Sequence, residues 1–169
     1  SGIALATPHL GHTLHIETCG LAPDCWYWYR FRVGEYASPI GRTRTMPEDH
    51  VLAESLRFAV TSCQNFEQGL YTAYSQMIAD EPDLVFHLGD YIYEYEGKPN
   101  RVRFHVGPEI ETLEQYRQRY NQYRTDTHLQ NMHASCPWWV TWDDHEFDNN
   151  CANDISEEKG IDSVAFLKR

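Results

Sequence analysis

The sequence predicts an α/β domain preceded by the closing strands of a β-sandwich, and three patterns predict it. Apolar residues alternate with period two between Thr13 and Thr45. From Leu56 onward, short apolar strands alternate with stripes at helical spacing. Three of those strands run directly into polar, charge-bearing residues at their carboxyl ends.

In the first piece, Leu14 and Ile16 share one face of an expected strand, and Tyr27, Tyr29, Phe31 and Val33 share one face of later strand. Gly20-Leu21-Ala22-Pro23-Asp24 supplies one turn and Ser38-Pro39-Ile40-Gly41 another. The order Leu21, Pro23, Tyr27, Tyr29 resembles the corner of a fibronectin type III sandwich, where a tyrosine hydroxyl bonds back across the turn. A whole sandwich needs about 100 residues and about seven strands. Residues 1–47 offer only a few strands before Met46-Pro47-Glu48-Asp49, so they read as the C-terminal part of such a domain, with either its first strands cut away or its open sheet edge covered by the second piece.

Residues 54–169 read as the N-terminal half of an α/β domain. Phe58-Ala59-Val60 forms the first strand, and Leu70, Tyr74, Met77 and Ile78 form a helical stripe. Leu84-Val85-Phe86 is the second strand. Thr112-Leu113-Glu114-Gln115 has the form of a capping box, opening a helix with Leu113, Tyr116, Tyr120 and Tyr123 on one face. Trp138 to Trp142 makes the third strand, with Trp138, Trp139 and Trp142 expected in the core. Ile161, Val164, Ala165, Phe166 and Leu167 begin a last helix with no glycine or proline after it.

Composition excludes several classes of function. Fourteen Lys and Arg against 25 Asp and Glu give a formal charge of -11, the wrong sign for docking nucleic acid. A single phosphate group stays compatible, because bound cations invert the local field. No apolar run of about 18 residues is present to span a membrane, and the chain starts at Ser1 with no basic-then-apolar leader, so any targeting segment was removed or never included. Five cysteines make an odd count, with Cys19 and Cys25 flanking a turn as the best-placed pair for a disulfide in an oxidising compartment. His9, His12 and His15 read as surface, and Arg101, Arg103 and His105 as a solvated loop rather than a phosphate contact.

Chemistry collects at the strand ends: Ser62-Cys63-Gln64-Asn65, Gly89-Asp90-Tyr91-Ile92-Tyr93 and Asp143-Asp144-His145-Glu146. Singly, these read as a small buried hydrophobe at Cys63, a helix cap at Asp90 and a solvated loop at Asp144 to Glu146. Their coincidence at three successive strand ends, where open α/β sheets bind ligands, favours a site. Asp90 is the natural bridge between two cations, and Gly89 lets backbone approach without a Cβ. A thiolate at Cys63 and a phenolate at Tyr93 suit a trivalent metal better than magnesium, which points towards iron.

The stretches TSCQNFEQGLYTAY, DLVFHLGDYIYEYEG, HVGPEIETLEQYRQRYNQYR and PWWVTWDDHEFDNN resemble consecutive segments of the alkaline phosphatase D (PhoD-like) family of calcineurin-like metallophosphoesterases. They cover most of Arg57 to Asn150, and Thr13 to Thr45 is similar to the end of that family's small N-terminal sandwich domain. Asp143-Asp144-His145-Glu146 stands where the wider class has Gly-Asn-His-Glu, which matches the PhoD-like variant. The resemblance implies a calcineurin-like half-domain, a ferric ion (Fe3+) held by Cys63, Asp90 and Tyr93, and calcium (Ca2+) sharing Asp90 and Asp144. It also implies attack on a small phosphate mono- or diester, with His145 touching the phosphate or protonating the leaving oxygen, and a secreted or periplasmic place. For His145 the alternative is a histidine that only orients a ligand. Asn149 and Asn150 are further ligands or a turn.

Metal centres of this class complete their shell with a late aspartate and a His-x-His pair, and no His-x-His occurs here. The sequence therefore reads as a fragment of a longer enzyme. Two other functions stay open at this point: a catalytically silent secreted binding module, and a zinc or manganese metallophosphoesterase of another subfamily.

Overall fold

The computed structural model describes residues 1–168; Arg169, the last residue of the expected half-domain, lies outside the described residues. Its first part is a nested hairpin. Strand β1 (Trp26–Tyr29) pairs antiparallel with β4 (Gly41–Arg44), and β2 (Arg32–Val33) pairs with β3 (Tyr36–Ala37) at the tip. Tyr29 opposes Gly41 and Arg32 opposes Ala37, so the returning strand carries one extra residue between the two ladders. Pro39 falls in that interval and has no N–H to donate, which accounts for a break there. The Tyr27 hydroxyl accepts the Ala22 N–H at 2.7 Å, the bond expected across the turn.

Leu14 and Ile16 form no strand. A strand exists only within a ladder, none of the described residues pairs with this segment, and both side chains stay exposed. Cys19 and Cys25 are free thiols rather than a disulfide. Cys25 is tied to Thr45 at the start of the ladder, whereas Cys19 lies in the unpaired stretch.

The second part is built on a parallel sheet of order β5 (Phe58–Thr61), β6 (Leu84–His87), β7 (Trp138–Val140). Central β6 is the most buried strand, as expected of a strand paired on both sides. Helix α1 (Ala73–Ala79) follows β5, with Tyr74, Met77 and Ile78 on its core face. Leu70 lies ahead of the helix and is exposed. Helix α2 (Leu113–Tyr123) carries the predicted capping box: the Thr112 hydroxyl accepts the Gln115 N–H, and the Gln115 side chain accepts the Thr112 N–H. Helix α3 (Thr127–Ser135) has no counterpart in the sequence reading. Asp126 caps it, Leu129 and Met132 bury it, and it packs on α1 and β4. A short α4 (Ser163–Phe166), capped by Asp162, inserts Phe166 against Phe147.

Helices cover one face of the sheet. Ala59, Thr61, Val85 and His87 point that way, into a core that includes Tyr74, Tyr123, Leu129 and Met132. On the other face Phe58, Phe86 and Trp139 stack edge to face at 5.7 and 5.6 Å. Trp138 packs on the core, but Trp139 and Trp142 remain 58% and 81% exposed, against the expectation that all three would be interior. Trp139 is on the strand face opposite the helices, and Trp142 lies beyond the strand's end. No helix among the described residues is long and apolar enough to cross a membrane.

Candidate metal centre

The carboxyl ends of β5, β6 and β7 feed three loops that meet. Backbone bonds from Cys63 N–H to Gly89 O and from Gln64 N–H to Asp90 O, both 3.1 Å, tie the first loop to the second. Cys63 and Asp90 adopt φ of 55° and 53°, left-handed values that are uncommon outside glycine and gather at functional sites. Gly89 stands at φ 105°, and a Cβ there would fall 2.5 Å from the Asp143 Cβ. Glycine is thus required twice over, for the backbone angle and to let the third loop approach.

Glu146 returns from the third loop to the second. Its carboxylate accepts the N–H groups of Asp90 (3.0 Å), Tyr91 and Asp143 (2.8 Å), so this acidic residue of the Asp143–Glu146 motif is occupied by backbone. Glu94 makes the opposite crossing. It is 1% exposed, and one oxygen meets His145 Nδ1 at 2.8 Å while the other accepts the Asn149 N–H at 3.0 Å.

The expected ligands gather between these crossings. The Tyr93 hydroxyl bonds Asp90 Oδ2 at 3.2 Å, and the Cys63 thiol lies near enough for its charge to act on the same phenol. Ligand atoms of Asp90, Asp144 and His145 all lie within 4.8 Å of one another. The structure therefore brings all five predicted residues together, with Asp90 common to both groups. Asp90 is buried, and its Oδ1 has no hydrogen-bond partner. Burial, then the charges of Asp90 and Cys63, push the Tyr93 phenol well above its ordinary range, so without a cation it keeps its proton. At Asp144 burial pushes the carboxyl up, but the Asn150 N–H and His145 outweigh it and hold it low. The His145 ring lies against Tyr93, centroids 4.1 Å apart.

Other expected contacts resolve differently. The side-chain amides of Asn149 and Asn150 both bond Glu157. Arg103 and His105 are not a solvated loop. Arg103 lies over the Phe66 and Tyr71 rings and bonds Asp126, while His105 is buried between Tyr95 O and the Tyr123 hydroxyl. The rings of Phe66, Tyr71 and Tyr123 supply the apolar cover that the polar sequence of this segment does not advertise.

Two supporting residues escape the sequence reading. Arg119 is buried on α2 and donates to the carbonyls of Tyr93 and Tyr95, clamping the backbone either side of Glu94. Its signal was position: three after Tyr116 and four before Tyr123, on the aromatic face. Glu94 itself carried a weaker signal, a carboxylate inside the aromatic run Tyr91 to Tyr95.

A parallel sheet whose strand ends collect a thiol, a phenol, two carboxylates and an imidazole defines an α/β protein with a cation-competent site. The chain belongs to the PhoD-like phosphatase family. The family's model matches residues 58–169, and the model of its N-terminal domain matches residues 1–47. Alkaline phosphatase D of Bacillus subtilis (strain 168) is 49% identical over 173 residues, covering 99% of this chain and 30% of the relative. A solved structure of PhoD superposes with a TM-score of 0.93 at 48% identity, over 98% of this chain and 33% of its own. The chain thus spans about a third of the length of the relatives it matches.

Proposed function

We propose that this chain supplies the first half of the catalytic centre of a metal-dependent hydrolase acting on small phosphate mono- or diesters. It would be a calcineurin-like half-domain preceded by the end of a fibronectin-like sandwich, working outside the cytoplasm. One observation carries the reading: Asp90, buried and with an oxygen lacking any partner, stands between a thiol and phenol on one side and Asp144 with His145 on the other. A buried acceptor left unpaired costs about 1–3 kcal/mol, which a cation would relieve.

The donor set fits the metals expected from the family. Cys63, Asp90 and Tyr93 would hold iron, and Asp90 with Asp144 would hold calcium. When bound, these cations supply the positive charge that offsets charge developing on the phosphoryl oxygens. The chain's own residues do the rest. Glu146 and the Cys63–Gly89 bond fix the loops before substrate arrives, and His145, held by Glu94 at Nδ1, presents Nε2, which in the imidazolium form would meet a phosphate oxygen or give a proton to the leaving group.

The test is elemental analysis of the full chain, with hydrolysis of a chromogenic aryl phosphate. Iron, calcium and turnover are expected together, and Asp90→Asn should lower turnover at least about 100-fold with loss of metal. Neither metal nor turnover in the full chain would reject the reading in favour of a binding module. A colourless but fully metallated protein would favour zinc or manganese, because ferric tyrosinate absorbs visible light.

A further inference from the structure

Glu94 has two acceptor oxygens, and each has one donor. Oε1 takes the Asn149 N–H at 3.0 Å and Oε2 faces His145 Nδ1 at 2.8 Å. The side chain is 1% exposed, so water does not substitute for either partner. Its backbone is equally constrained: Arg119 donates to Tyr93 O and Tyr95 O, and the Glu94 carbonyl accepts the Ile110 N–H at 3.0 Å. A carboxylate accepts only, which requires the hydrogen of the His145 pair to sit on Nδ1. The lone pair of the neutral ring then lies on Nε2, away from Glu94.

We infer that Glu94 is a positioning residue that sets the tautomer and orientation of His145, with the backbone N–H of Asn149 as the second lock on its carboxylate. This deepens the hydrolase reading above and rests on it only for what Nε2 then does. The arrangement is that of a buried carboxylate behind a working histidine, which fixes which ring nitrogen is presented. The Tyr93 ring, tilted 35° to the imidazole at a centroid distance of 4.1 Å, limits its plane, and the Glu94 bond fixes which edge turns inward.

The two-donor count makes the test sharp. Glutamine has the same shape as glutamate but one acceptor oxygen and one NH2, so Glu94→Gln cannot accept from both Asn149 N–H and His145 Nδ1–H. Its oxygen stays with the backbone amide, which cannot reverse its polarity, and its NH2 faces Nδ1. The hydrogen of the ring must then move to Nε2. In the full chain, labelled with 15N-histidine and stripped of metal, wild-type His145 should show a protonated Nδ1, and Glu94→Gln should show the hydrogen on Nε2. In the metal-loaded chain the same variant should lose about 10- to 100-fold in kcat, with KM changed less than about threefold, and Glu94→Asp should recover part of the loss. A His145 15N pattern unchanged in Glu94→Gln overturns the assignment, as does Glu94→Gln with wild-type kcat. If wild type neither binds metal nor turns over substrate while the tautomer still inverts, the hydrolase reading fails and the positioning role stands.

Discussion

Two tyrosine hydroxyls show how differently the two parts of this molecule are held. Tyr27 bonds Ala22 across an exposed turn of the hairpin, in a region where β2 and β3 bury no side chain. Tyr123 is fully buried, and its oxygen accepts the N–H groups of Phe66 (3.2 Å) and Tyr93 (3.1 Å) while meeting His105 Nε2 at 2.9 Å. Because His105 Nδ1 must donate to Tyr95 O, the phenol gives its proton to Nε2 and three loops share one oxygen. The hairpin depends instead on its ladder and on partly exposed links: Arg42 to Ser135 O at 2.5 Å, Arg44 to Asp24 and Asp83, and Arg42 stacked on Trp26. The same bond geometry is worth little where water competes and much where it does not.

Acid should break the comparison most strongly. Burial lowers His87 and His105 to about 4, and burial with Arg124 lowers His133 to about 3. These folded-state values lie below the ordinary 6.5, so the unfolded chain binds protons first as pH falls. Stability is full above about 6.5 and declines towards pH 4 by up to about 3 kcal/mol for each of His87 and His105. Urea midpoints between pH 7 and 4 should record this decline in the sheet-and-helix part, and His105→Gln should make it shallower. A flat profile would mean these rings are hydrated.

Tyr123→Phe comes next. It strands two backbone N–H groups and one imidazole nitrogen, costing about 3 kcal/mol or more in total, measurable as a shift in the urea midpoint with faster amide exchange at Phe66 and Tyr93. The smallest effect belongs to the hairpin: Tyr27→Phe should cost about 1 kcal/mol or less and speed exchange of the Ala22 amide alone. Equal costs at the two tyrosines would remove the distinction between the regions.

The same distinction explains what the sequence disclosed. Strands β5, β6 and β7 were legible because their apolar runs are short and end in punctuation, and α2 because its capping box is a local signal. Cys63, Asp90, Tyr93, Asp144 and His145 stood out by their places at successive strand ends, and the loops after those strands bring them near one another. Helix α3 was not, since its burial rests on Leu129 and Met132 alone and its surface is polar. Leu14 and Ile16 alternate correctly yet pair with nothing described, because alternation states a preference and only a ladder satisfies it. Arg103 and His105 read as a solvated loop, and Arg119 and Glu94 drew no reading at all. The cover over Arg103 and His105 comes from the rings of Phe66, Tyr71 and Tyr123, which no local pattern can announce.

Glu94 reaches from the second loop to the third, and Glu146 reaches back from the third to the second. Linked this way, the loops form a single mechanical unit resembling a buckle with two tongues. Neither can be lengthened, redesigned or released by itself, and the damage from cutting both tongues should be less than the sum of cutting each, since the first cut already frees much of what the second one guards.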